Sequence, residues 1–142
     1  MLYTAKEIKR ILGITPGQLF HWGRTWGLIE PEVKAKGRQG KNKYSLENLV
    51  QLAVIKELVN SGIELSFIEQ LIESTNIFDL LRQRRSFIII HKSANRVGVY
   101  TVHEFYNLER EQSPKTYLVI NVLKIIKDIE EKTRERFWRK GG

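Results

Sequence analysis

The chain contains no cysteine. That absence excludes disulfides, zinc–thiolate centres, iron–sulfur clusters and thiol nucleophiles in any compartment. Apolar runs are short. The stretch Phe87 to Ile90 cannot span a bilayer, which needs about 20 apolar residues in a row. The opening MLYTAKEIKR lacks the charged-then-apolar layout of a secretion signal. No membrane association is expected, and the expected location is cytoplasmic. Catalytic signatures are missing too: there is no nucleophile–base pair, no carboxylate pair in a motif and no phosphate-cradling loop. GRQGK resembles such a loop but lacks the strand-to-helix context. His91 and His103 have no supporting carboxylate geometry and make a poor metal site. No enzyme activity, metal or cofactor is expected.

Acidic residues are absent from one stretch in particular, VKAKGRQGKNKYSL, which carries Lys34, Lys36, Arg38, Lys41 and Lys43. The whole chain has a formal net charge of +8 and a pI near 9.8. A basic balance with cations gathered on one segment favours an anionic partner, nucleic acid first. Other basic runs, RQRR and RERFWRK, alternate with acids or sit at helix ends and read as solvated surface.

Local signals place helices before and after the basic stretch. Thr4 and Glu7 have capping-box spacing, and Ile8, Ile11 and Leu12 form one apolar face ending at Gly13. Thr15 is the next N-cap, with Pro16 at the first helical position. The second helix reaches about Trp26. Leu19, Trp22 and Trp26 share its expected core face, and Gly17, Gln18, His21, Arg24 and Thr25 its exposed face. Two glycines cost such a helix roughly 1 kcal/mol each in propensity. Gly17 and Gly23 would repay that by letting another surface come close, DNA for instance, although Gly23 could equally make room for a neighbouring helix. Pro31 stops any helix, and the lysine-rich stretch reads as a hairpin. Ser45 caps a third helix to about Ser61, with Leu49, Leu52, Ala53, Ile55, Leu58 and Val59 as its stripe; a fourth begins at Ser66.

The second half reads as a small α+β unit. A joint at Ser74–Asn76 leads to a helical piece, IFDLLRQ. A hairpin follows, SFIIIHK and RVGVYTV, with Asn95 at the turn. Then come a helix HEFYNLEREQ stopped by Pro114, a strand TYLVI, and a last helix from Asn121. Val122, Ile126 and Ile129 are either internal core or a subunit seam, and Phe137 and Trp138 are harder to bury locally. Tyr100, Phe105 and Tyr106 are candidate lining for a small-molecule effector pocket, with core packing the alternative for Phe105.

The run YTAKEIKRILGITPGQLFHWGRTWGLIEP, continued by GRQGKNKYSLENLVQLAVIKELVNSGIELSFIEQLIE, resembles the DNA-binding domain of the MerR family of bacterial transcription regulators. The resemblance implies a winged helix-turn-helix and homodimeric binding to palindromic promoter DNA. The expected fold class is therefore α+β: residues 1–75 a DNA-binding domain of four helices and a short wing, residues 76–142 an effector and dimerisation domain of about three strands and two helices. The resemblance carries Gln18, His21 and Arg24 into the recognition helix and Arg38, Lys41, Lys43 and Tyr44 into the wing; Thr15, Gly17, Lys34 and Lys36 join the expected DNA contacts from the sparse helix face and the acid-free basic stretch. Tyr44, like Tyr3, could instead pack its ring inside. Three positions depart from the family pattern: Phe20 and Asn42 replace the usual arginines, and Trp26 looks like an inserted residue. Competing readings are an excisionase-like architectural DNA-bending protein and a winged-helix protein-interaction module that uses Phe20.

Overall fold

The computed structural model describes residues 1–37, 40–75, 77–83, 87–93, 96–107 and 117–137, with the backbone alone for 91–93 and 96–98. Arg38, Asn95, Pro114 and Trp138, singled out above, lie outside the described residues, as does the side chain of His91.

Capping chemistry sets the first three helix starts. α1 (Ala5–Leu12) begins at Thr4, whose Oγ1 accepts from the Glu7 amide at 3.2 Å while Glu7 accepts from the Thr4 amide at 3.1 Å. α2 (Pro16–Phe20) begins with the same reciprocal pair between Thr15 and Gln18, at 3.1 and 3.0 Å. α3 (Leu46–Asn60) repeats it with Ser45 and Asn48, at 3.1 and 3.0 Å. Such caps contribute about 1 kcal/mol each. α1 ends at Gly13, whose φ of 72° suits glycine. Two lysines cap its C-terminal carbonyls: Lys56 Nζ donates to the Leu12 carbonyl and Lys132 Nζ to the Ile11 carbonyl at 3.0 Å.

The second helix departs from expectation. After Phe20 it widens into a π turn, His21–Thr25. There the Trp26 amide donates to the His21 carbonyl at 3.0 Å, an i to i+5 bond. The turn absorbs the extra residue. It also corrects the expected core face: Leu19 and Trp22 are buried, but Trp26 is swung to a half-buried position at the core's margin.

α4 spans Leu65–Thr75 and α5 Ile77–Arg82. β1 (Phe87–Ser93) is the middle strand of an antiparallel sheet ordered β2–β1–β3, with β2 at Arg96–Tyr100 and β3 at Leu118–Asn121. The register sets Ile88 opposite Ile120 and Ile89 opposite Val119. Ile88, Ile90 and Ile120 therefore share the inner face and are buried, while Phe87 and Val119 on the outer face stay exposed. Between β2 and β3 lies α6 (Val102–Tyr106), one and a half turns long and shorter than expected within the described residues. α7 (Val122–Thr133) is the last element among the described residues.

α3 is buried nearly all round rather than on one stripe. Val50 and Val54, outside the expected set, are fully buried, whereas Val59, inside it, is only partly so. α1, α4 and α7 all lie against α3. Ile126 and Ile129 of α7 join its cluster, and so does Val122, which settles their role as internal core. Phe137 also packs on this chain's own core, its amide donating to Glu130 at 2.7 Å. Phe105 meets Tyr117 edge to face at 4.9 Å, a packing contact, while Tyr106 stands exposed.

One core crossing residue 75 has a measurable consequence. Ile126→Ala should cost about 2–4 kcal/mol. Urea unfolding followed by the fluorescence of Trp22 and Trp26, in a Trp138→Phe background, should shift together with far-UV circular dichroism. A fluorescence transition unmoved by the substitution would mean that the halves unfold independently.

Candidate nucleic-acid interface

The exposed side of α2 and its π turn is built from small or self-engaged groups. Thr15 and Gln18 are exposed but tied to each other by the cap. A Cβ at Gly17 would meet only Thr15 Oγ1, at 3.9 Å, so packing within the chain does not require glycine there. Gly23 is different. A Cβ there would come within 3.3 Å of Ile29 Cγ2, so this glycine makes room for the chain segment leaving the helix, not for another helix. His21 is exposed, and its Nε2 accepts from Trp26 Nε1 at 3.2 Å, the rings standing edge to face. Arg24 is exposed, its guanidinium carbon 6.0 Å from the centre of the Phe20 ring. Phe20 itself is 60% exposed. The helical wheel above left it off the exposed face, although its i, i+4 spacing to Arg24 was the available signal.

The basic stretch forms a narrow arm beside this helix. Val33 and Lys43 exchange backbone hydrogen bonds at 3.0 and 2.8 Å. Above that pair, Asn42 Oδ1 accepts from the Ala35 amide at 2.7 Å, so the residue standing in for the family's arginine pins the arm across its width. Lys36 and Lys41 are exposed and Lys43 is half-buried. Lys34 pairs with Glu30 at 2.7 Å, holding that carboxyl below its usual range.

The arm is rooted in the core. Asn48, itself buried, accepts from the Glu32 amide at 3.1 Å and donates to the Glu30 carbonyl at 3.0 Å, fixing the turn at Pro31. Tyr44 is only 4% exposed, so its ring packs inside. Burial pushes its hydroxyl up, against a hydrogen bond with Asn42 that favours the ionised form. Tyr3 pairs with Tyr44 through two backbone bonds of 2.7 and 2.9 Å. Its own hydroxyl donates to Glu135, beyond α7, so it too faces inward.

Helix and arm enclose a groove of about 600 Å³, with Phe20, Gly23 and Arg24 on one wall and Lys34, Ala35 and Asn42 on the other. Of the expected contacts, Arg24, Lys34 and Tyr44 line this groove, whereas Thr15, Gly17, Gln18, His21, Lys36, Lys41 and Lys43 do not. No group of residues able to hold a metal ion occurs among the described residues, and His103 is engaged with Asn107 at 3.3 Å.

Two capped helices joined by a tight left-handed glycine turn, with a paired loop beside the second, define a helix-turn-helix protein. Residues 3–75 match the MerR HTH family of regulatory proteins, and the chain belongs to that family. HTH-type transcriptional regulators of Mycobacterium bovis and Mycobacterium tuberculosis, described as uncharacterized, are similar to it: 32% identical over 83 residues, 58% of this chain and 34% of theirs. The chain thus covers about a third of the length of these curated relatives.

The Tyr3 clasp gives the arm's root a pH signature. Burial first, then the Glu135 carboxylate, pushes the Tyr3 hydroxyl up to about 12 from 10.0. Below pH 10 it is neutral folded or unfolded, and its contribution is complete. Above pH 10 the unfolded chain loses the proton first, so this contribution is lost as pH rises through about 12. The stability gap between the parent and Tyr3→Phe, from urea titrations, should narrow from pH 10 to 12. A constant gap would show that the hydroxyl is not held this way.

Proposed function

We propose that the chain binds duplex DNA sequence-specifically and regulates transcription, as a homodimer on a palindromic promoter site. α2 and its π turn enter the major groove, with Thr15, Gly17, Gln18, His21 and Arg24 toward DNA. The arm is the wing, with Lys34, Lys36, Arg38, Lys41 and Lys43 on the adjoining phosphates and Tyr44 anchoring it from within. One observation carries the reading: Arg24 of the helix and Lys34 of the basic arm border a single groove. The Lys34–Glu30 pair is exposed and therefore weak, so a phosphate can compete for the lysine.

Residues 1–75 serve as the DNA-binding half. Residues 76–142 serve as the dimerisation and effector half, a small molecule being the candidate effector. No described helix is long and apolar enough to cross a membrane, and the proposed place of action is the cytoplasm. The exposure of Phe20 favours a second reading, a protein-interaction module.

Salt dependence separates the two. With about five phosphates neutralised per subunit, log affinity for random duplex should fall with log salt at a slope of about −4 to −5 per subunit. Replacing Arg38, Lys41 and Lys43 together by alanine should weaken binding to every sequence and flatten the slope by about 3. Anisotropy titrations of both proteins check this; equal binding by the triple variant would remove the wing from the interface. Light scattering of the complex with a palindromic duplex should report two 16.7 kDa chains per duplex. A single chain would refute the homodimer.

A further inference from the structure

Phe20 is the largest apolar side chain standing exposed on α2, and no packing within the described residues uses most of its ring. Phe20 lies one helical turn before Arg24, whose guanidinium rests 6.0 Å from the ring centre. Both line the groove that faces the wing. The acid on that groove, Glu30, is held by Lys34. The surroundings of the ring are therefore cationic, and the occupant that fits them is an anionic surface carrying a small apolar contact. The major groove of DNA offers one: the C5-methyl group of thymine or 5-methylcytosine, beside the acceptor edge of guanine.

Resting on the DNA-binding reading above, we infer that Phe20 and Arg24 act as one composite reader of a C5-methylated pyrimidine next to guanine. The ring covers the methyl group. Arg24 takes guanine O6 and N7 through its two-pronged donor face. Stacking on Phe20 restricts the rotamers of Arg24 before DNA arrives, so less freedom is lost on binding. An arginine at position 20 would bring a charge but no apolar ring to cover a methyl group. The departure from the family pattern at this position is thus a change in what is read.

The test begins with the full chain and a randomised duplex library. The enriched half-site should contain a thymine beside a guanine. Replacing that thymine by uracil removes only the methyl group and should weaken the parent about fourfold, the equivalent of one buried carbon. At the same position 5-methylcytosine should bind better than cytosine by a similar factor, which separates the methyl group from the rest of the base. Phe20→Ala should bind the thymine and uracil duplexes equally, while Phe20→Leu keeps part of the preference. Replacing the guanine by 7-deazaguanine should weaken the parent about tenfold and Arg24→Ala little. Phe20 is exposed, so its variants should keep the parent's circular dichroism spectrum. A preference for thymine over uracil that survives in Phe20→Ala, or is absent in the parent, overturns the inference and leaves the DNA-binding reading standing. No enriched sequence and no salt-dependent binding to duplex overturns both, and assigns Phe20 to a protein contact.

Discussion

A helix buried on almost every side cannot stand in a domain that covers only one of its faces. α3 is that helix. Leu49, Val50, Leu52, Val54 and Ile55 leave no apolar surface for water, and each such side chain contributes roughly 1.5–3 kcal/mol when buried. The helix-turn-helix covers part of it, and α7, from the far end of the chain, covers another part. The element on which α1 packs is thereby the element that joins the two halves. Lys132 on α7 reinforces the arrangement by donating to the last turn of α1.

The groove inherits its shape from this core through a few polar ties. Asn48 fixes the turn before the basic arm from inside α3. Tyr3 joins the arm's root to Glu135 beyond α7. Among the described residues the Val33–Lys43 backbone pair and Asn42 tie the arm across its width.

Local chemistry was what the sequence made legible. The three N-caps at Thr4, Thr15 and Ser45, the stop at Gly13 and the strand-forming segments of the second half follow from interactions spanning a few residues, and they stand where the spacing put them. The run of motifs in residues 3–75 was specific enough to carry the family. Long-range packing was not legible. Nothing near Val50 and Val54 announces that another helix will cover them. The π turn was visible only as an apparent extra residue at Trp26, since one added position can be looped out, bulged or wound in. Phe20 was assigned to neither face for the same reason: which side of a short helix faces outward depends on what packs on the other side. Asn42 looked like a lost arginine because its partner, the Ala35 amide, lies across the hairpin.

The contact between Trp26 and His21 limits what the imidazole can say to anything outside. A nitrogen that accepts the indole proton has no proton of its own to give, so the neutral ring carries its hydrogen on Nδ1. His21 is then a one-way group: it can offer a single hydrogen outward and cannot take one. On a surface that faces bases, such a side chain can address N7, O4 or O6 but has nothing to answer the exocyclic amines of adenine or cytosine. A tryptophan wound in by one extra residue thus halves the vocabulary of the histidine beside it.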